Sequence, residues 1–563
     1  MQFKDYLYSR PDIELFTSDF EQLMDAFAKA EKAQDQLDFL QKINNLRNSF
    51  LTMYNLAFIR HSINSKDEFY ERENQFFDEN SPKYDEQNSR FYQLLLESPF
   101  RKIIEQKFGQ QFFNLAQMSL QTFSKEIMED LVQENRLSTE YMKIKALAQL
   151  EVNGKTYNLS NITALEEDPD RDLRKKAADA KWAFYADHQV EMEKIYDDLV
   201  AVRTQIARKL GFENYTELGY LRMNRSDYNQ QMVAAFREAV QKYIVPIANQ
   251  LYDKQKKRLG QKELKYYDLA FKFPSGNPQP TGSPDEIVEA TAKMYKELSN
   301  ETDDFFQFMT DRNLLDVVAK DGKSTGGYCT FIPNYGSPFI FSNFNGTSGD
   351  IVVMTHEAGH AFQVFSSRHT PLPEYQWPTY ESAEIHSMSM EFFTFPWMDL
   401  FFEDADKFKY AHLIAAITFI PYGVAVDEFQ HIVYNQPELS PKERNQAWLA
   451  LQKKYLPHFD HAGNSFLEQG GFWQRQSHIF RSPFYYIDYA LAQICAFQFW
   501  QRDQENHDAA WKDYVRLCQA GGSLSFLGLV DLAGLESPFD ETVIRRIATH
   551  VDAYLSEIDD SGY

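Results

Sequence analysis

The sequence predicts a mainly α-helical protein carrying one small β-sheet, and three observations predict it. Leucine, phenylalanine and methionine recur at three-to-four spacing among Glu, Lys and Gln from Phe16 to Leu147, the pattern of helices packed along one face. Asp350 to Phe365 reads as a single apolar helix bearing His-Glu-x-x-His. Strand patterns, by contrast, are short and few. At 563 residues, 43% apolar and 15% aromatic, the chain buries a large core, divides into two or three packed lobes and is not disordered.

Taken in order, the N-terminal helices break near Ser81-Pro82 and Ser98-Pro99, where proline removes a backbone donor. Their apolar stripes are core and carry no chemistry. Leu150 to Leu159 contains Asn153-Gly154 between two short alternating runs, a hairpin signal. A helix opens at Asp168-Pro169, a cap followed by proline at the first helical position. A later helix stops at Gly211, and another begins near Asp227 with a kink at Pro246. Phe273 to Pro284, dense in Pro and Gly, is a surface loop. Gly322 to Pro333 and Ser337 to Asn343 form two strands just before the His-Glu-x-x-His helix, so the small sheet makes a wall of its site. An edge strand there pairs with an extended peptide whatever its sequence. Gly322 to Gly327 lacks the order of a phosphate-binding loop.

Lys plus Arg number 58 and Asp plus Glu 82, so the net charge is 58 − 82 = −24, which disfavours nucleic acid and anionic membrane as partners. The three cysteines, Cys329, Cys495 and Cys518, include no CxxC pair, which argues for a reducing compartment and against thiolate metal ligation. The first residues lack a signal-peptide apolar region, and the apolar run from Leu413 to Val426 is too short and too interrupted to span a membrane. A cytoplasmic, soluble protein is the expectation.

The chemistry is concentrated at His356, Glu357 and His360. Residues four apart share one helix face, so His356 and His360 present two imidazoles to one metal ion. Glu357 lies beside that metal, placed to take a proton from the attacking water. Val352, Val353, Met354, Ala358, Ala361 and Phe362 surround these groups, and charged groups inside so apolar a segment need partners. Asp350, after Gly349, is the expected N-cap. Catalytic zinc takes three protein ligands. Gln363 and Ser366 exclude the metzincin extension, and His369, followed by Thr370-Pro371, lies past the helix end on the surface. The next helix, Tyr380 to Phe393, offers Glu381, Glu384 and His386, which spacing alone leaves open. Glu384 and Glu391 share one face, so one can bind metal while the other orients a ligand histidine. Downstream, Tyr485 and Tyr489 lie one helical turn apart near His478, donors of the kind that stabilise a carbonyl oxyanion. With 32 tyrosines in the chain, the same cluster also reads as ordinary core rings.

Three pieces together resemble the M3 peptidases, a family that includes thimet oligopeptidase, oligoendopeptidase F and the Pz-peptidases. They are Met354-Thr-His356-Glu357-Ala-Gly-His360, Ala383-Glu384-Ile-His-Ser-Met-Ser-Met-Glu391, and Gly326-Gly-Tyr-Cys with Pro338-Phe-Ile. The resemblance is strongest to the oligoendopeptidase F and Pz-peptidase branch and runs from about residue 160 to the C-terminus. It implies a helical N-terminal region over 1–160 and a catalytic domain over 161–563, forming a two-lobed body around a deep channel. It selects Glu384 as third ligand to one zinc ion, with Glu357 as base. His478, Tyr485 and Tyr489 fit the family's transition-state groups, with Tyr486 an alternative to Tyr485. The implied activity is zinc-dependent endopeptidase cleavage of short oligopeptides, Gly- and Pro-containing ones among them. An exopeptidase on a related site, which needs a cation for the substrate carboxylate, and an inactive peptide-binding scaffold are the competing readings.

Overall fold

A computed structural model describes all 563 residues, and helices dominate it. The first six helices are α1 (Ile13–Lys29), α2 (Ala33–Ile63), α3 (Glu68–Leu96), α4 (Arg101–Phe108), α5 (Gln110–Thr122) and α6 (Met128–Ala146). Helices α1 to α5 enclose their own apolar core, built around Phe20, Phe27, Ile43, Phe91 and Phe112. A second, larger core holds the rest of the chain together and takes in Tyr141 of α6. The body is therefore two-lobed. Leu372 and Tyr375, just past the His-Glu-x-x-His helix, dock into the smaller core and tie the lobes at the site.

The break at Ser98-Pro99 falls between α3 and α4, but Pro82 lies inside α3. The Asp78 carbonyl, which loses its intrahelical donor to that proline, accepts instead from the Asn135 side-chain amide of α6 at 3.2 Å. Tertiary packing thus supplies the bond that the local sequence lacks. The Asn-Gly hairpin is present as β1 (Leu150–Val152) and β2 (Lys155–Tyr157). The helix expected at Asp168 begins two residues later as α7 (Arg171–Asp187), with Asp170 as cap, because Asp168 spends its carboxylate on the Asp170 N–H in a preceding turn. Gly211, at φ +88°, follows the end of α8 (Gln189–Lys209) as expected. Near Asp227 the cap is Asn229, and Pro246 starts a separate helix, Val245–Arg258, instead of kinking one.

The sheet before the His-Glu-x-x-His helix has three strands, ordered β3-β5-β4. The two expected strands, β4 (Tyr328–Ile332) and β5 (Ser337–Phe344), pair antiparallel, while β3 (Leu315–Val318) adds a parallel partner. Its four residues were too short to declare themselves in the sequence. Strand β4 is left as an edge.

Four helices then build the centre: α9 (Gly349–Ser367), α10 (Tyr380–Phe393), α11 (Ala405–Asn435) and α12 (Tyr486–Glu505). Ser348, not Asp350, is the cap of α9. The Asp350 carboxylate turns back to accept the N–H groups of Asn345 at 2.9 Å and Gly346 at 2.8 Å, which pins the turn from β5 into the helix. Helix α11 is long and apolar enough to cross a membrane, yet 83% of that window is buried inside the protein, so it serves as a core helix. Gly359 in α9 faces α10 so closely that an added Cβ would lie 2.7 Å from the His386 carbonyl oxygen. That approach brings two otherwise separate helices to a common centre.

Candidate metal centre and substrate cleft

Helices α9 and α10 meet where His356, His360 and Glu384 converge, and one ligand atom from each lies within 4.8 Å of the others. Glu384 Oε2 is 3.2 Å from His356 Nε2 and 3.4 Å from His360 Nε2. The Glu384 carboxylate is aimed by two hydroxyls, Tyr485 on Oε1 at 2.5 Å and Ser387 on Oε2 at 2.8 Å. Glu391, two turns further along α10, takes His356 Nδ1 at 2.7 Å with one oxygen and His412 Nε2 at 2.6 Å with the other. A carboxylate can only accept, so Nδ1 of His356 carries hydrogen and Nε2 is the nitrogen left to face a metal ion.

This arrangement fits a divalent cation. Two imidazole nitrogens and a carboxylate oxygen are a borderline-soft set of the kind zinc takes. Their electrostatics ask for positive charge at the point of convergence. Burial opposes charge on His356, but the Glu384 and Glu391 carboxylates outweigh it and hold its pKa well above the ordinary value. Burial likewise opposes charge on Glu384, and the two histidines overcome it, holding that carboxyl well below its usual range. Two buried atoms close by, His360 Nδ1 and Glu357 Oε2, have no hydrogen-bond partner. Glu357 itself is buried, and burial pushes its pKa up despite the adjacent histidines, which makes it a stronger base than an exposed carboxylate.

The other residues left open by spacing fall outside the group. His386 is fully buried with both ring nitrogens unpartnered, its pKa pushed down to about 3 by burial and by nearby His360. Glu381 is also fully buried, near Asp488 and Arg225. Asp488 forms a buried ion pair with Arg225 at 2.7 Å and so is a packing element of α12. His369 is exposed past the end of α9, as expected.

The cleft over this centre encloses about 620 Å³ and is lined by the metal-binding candidates, Glu357, β4 residues and the wall of His478, Tyr485 and Tyr489. It shares Arg222 and Trp377 with a neighbouring cavity on one side, and Tyr328 and Arg481 with a cavity under α2, α3 and α6 on the other. Together these make a channel between the lobes. His478 Nε2 lies 3.1 Å from the Tyr489 hydroxyl, and the Tyr485 and Tyr489 rings are stacked with centroids 5.1 Å apart. Burial and the Glu384 charge push both tyrosine hydroxyls well above the ordinary pKa, so both keep the proton they would donate. Tyr486 turns away from the cleft, packing on Phe419 and Tyr422. Phe484, just before these residues, holds φ +67°, a costly conformation for a bulky residue. Its N–H donates to Gln430 Oε1 at 2.9 Å and its carbonyl accepts from Arg225 at 2.6 Å, and this anchored turn sets the direction in which Tyr485 leaves the chain.

Sequence reasoning missed His412, the second partner of Glu391, the Ser387 hydroxyl on Glu384, and the use of Tyr485 to aim that carboxylate. His412 stands alone at the edge of an apolar run, with no motif around it.

A mainly helical, two-lobed body with a buried carboxylate beside a His-His-Glu centre defines a metal-dependent hydrolase. The description "Peptidase family M3" matches residues 164–549 and "Peptidase M3 N-terminal domain" matches residues 3–123. The chain belongs to peptidase family M3 and is a metallopeptidase. Among solved structures it is similar to PZ peptidase A with inhibitor 2, at 52% identity over 100% of both chains and a TM-score of 0.99. It is also similar to an oligoendopeptidase F from Bacillus anthracis str. Ames, at 51% identity over 100% of this chain and 99% of that one, with a TM-score of 0.95. An oligoendopeptidase F homolog of Borreliella burgdorferi is 25% identical over 408 residues, 70% of this chain and 67% of the relative.

Proposed function

We propose that the protein is a zinc-dependent cytoplasmic endopeptidase that cuts internal bonds of short oligopeptides. The observation that carries this is the convergence of His356, His360 and Glu384 beside the buried Glu357 at the floor of an interlobe channel. The kinship with PZ peptidase A and oligoendopeptidase F supports the endopeptidase reading over an exopeptidase or an inactive scaffold.

In this reading His356, His360 and Glu384 hold one zinc ion per chain. Bound there, zinc supplies Lewis acidity that makes water a nucleophile near neutral pH and polarises the scissile carbonyl. The peptide extends along the free edge of β4, which offers backbone hydrogen bonds indifferent to side chains. Glu357 takes the proton of the attacking water and passes it to the leaving amine. His478 and Tyr489 stabilise the carbonyl oxygen as negative charge builds on it. Tyr485 orients Glu384 and adds a second hydroxyl to the same wall. Folded proteins are excluded because the floor lies between two lobes, whereas an extended strand reaches it.

The test is product mapping by mass spectrometry on peptides of graded length, N- and C-terminally capped, with and without a chelator. Internal cleavage of capped peptides that chelation abolishes and zinc restores is expected. Cleavage only of peptides with free termini would overturn the endopeptidase reading, and activity indifferent to chelation would overturn the metal.

A further inference from the structure

His478 and Tyr489 serve a developing oxyanion only if a hydrogen is left over after they bond to each other, and nothing within the pair decides this. Tyr489 and His478 share one hydrogen bond at 3.1 Å. If the tyrosine donates across it, its hydrogen is spent on the imidazole. If the imidazole donates, the tyrosine hydrogen is free to point elsewhere. The outcome depends on which ring nitrogen of His478 carries the proton.

Behind the imidazole, His478 Nδ1 lies 2.7 Å from the side-chain amide nitrogen of Gln476. The other end of that amide, Gln476 Oε1, accepts from the Tyr422 hydroxyl of α11 at 2.8 Å. The Tyr422 hydroxyl is the donor in that bond, because an amide oxygen has only lone pairs to offer. With its oxygen held by Tyr422, the Gln476 amide turns its NH2 to His478 Nδ1.

We propose that Tyr422 and Gln476 form a polarised hydrogen-bond relay that locks His478 in the Nε2–H tautomer, so that the imidazole donates to the Tyr489 oxygen and leaves the Tyr489 hydrogen free for the substrate carbonyl. The proposal rests on the reading of His478 and Tyr489 as the pair that stabilises the oxyanion. Gln476 and Tyr422 are positioning residues, since neither touches the reacting atoms. Burial, together with the nearby Arg481, pushes the His478 imidazole down to about 4, so near pH 7 it is neutral and its tautomer matters. The reverse amide orientation would put Gln476 Oε1 on Nδ1 and force hydrogen there. Nε2 would then be a bare acceptor that consumes the Tyr489 hydrogen, and the wall would have no donor from this pair. The two orientations therefore predict opposite chemistry.

Two measurements test the relay. In a 15N-histidine correlation spectrum of the wild-type protein, with the His478 signals identified by their loss in His478→Ala, the Nε2–H tautomer is expected. The Nδ1–H tautomer would overturn the relay. In kinetics, Gln476→Met removes the amide donor while keeping the length of the side chain. It is expected to lower kcat roughly tenfold or more, with KM changed less than about twofold. Added to His478→Ala it should cost nothing further, because the residue acts through that imidazole. An unchanged kcat for Gln476→Met, or the same fractional loss in the His478→Ala background, would overturn the relay and leave the donor assignment standing. Full turnover by His478→Ala would overturn the donor assignment itself, and the relay with it.

Discussion

Glu391 touches neither substrate nor the candidate metal position, yet its removal should be read directly in zinc affinity. Its carboxylate bridges His356 Nδ1 at 2.7 Å and His412 Nε2 at 2.6 Å. Glu391→Gln keeps an oxygen for His356 and offers its NH2 to His412, so geometry is retained and charge is lost. A hydrogen bond to a charged group is worth about 1.5–3 kcal/mol net against about 0.5–1.5 for a neutral one. The difference on the His356 side is therefore about 1–1.5 kcal/mol, or roughly tenfold in zinc affinity. Glu391→Leu removes both acceptors, frees the His356 tautomer and should cost up to about 100-fold, the upper range for groups that orient metal ligands. Competition against a chromophoric chelator measures both, with melting of the zinc-free forms as a control for folding. A Glu391→Leu protein binding zinc within about twofold of wild type would refute the claim that this carboxylate prepares His356 as a ligand.

Gly359→Ala places a methyl 2.7 Å from both the His386 carbonyl oxygen and Ser387 Cα, so α10 must shift. A loss of about 1–3 kcal/mol in stability together with weaker zinc binding is expected, and a native melting temperature and zinc affinity would refute the close approach. Glu357→Gln should retain zinc one to one by elemental analysis while kcat falls about 10²–10⁴-fold; near-native turnover would exclude Glu357 as the base. Burial raises the Asp78 pKa from its ordinary value to about 6, even though Thr139 donates to it. A folded pKa above the unfolded one means the native state binds the extra proton between about pH 4 and 6, so this residue's contribution falls as pH rises through that window. Asp78→Asn should therefore raise the melting temperature at pH 7, for a gain in stability of order 1 kcal/mol, and flatten the stability profile between pH 4 and 6; an unchanged profile would contradict the shift.

What was legible in the sequence is what rests on short-range periodicity. His356 and His360 share a face because a helix repeats every 3.6 residues, and Glu384 and Glu391 share one for the same reason. The helix Tyr380–Phe393 was readable with its observed ends, and the Asn-Gly hairpin and the two strands beside the His-Glu-x-x-His helix likewise follow from local chemistry. Pro82 shows where that logic stops, since Asn135 of α6, 57 residues from Asp78, supplies the missing donor to the Asp78 carbonyl and keeps α3 intact. The same separation hides much of the site. Spacing alone could not choose among Glu381, Glu384 and His386, because helix phase fixes only directions along one helix and not what stands opposite. Gly359 allows α9 and α10 to touch, and that contact turns Glu384 toward the histidines while leaving Glu381 and His386 in the core. His412, Gln476 and Tyr422 are ordinary residues in sequence. Their roles come from hydrogen bonds that exist only once α10, α11 and the turn before α12 are packed together, so only the tertiary structure could decide them.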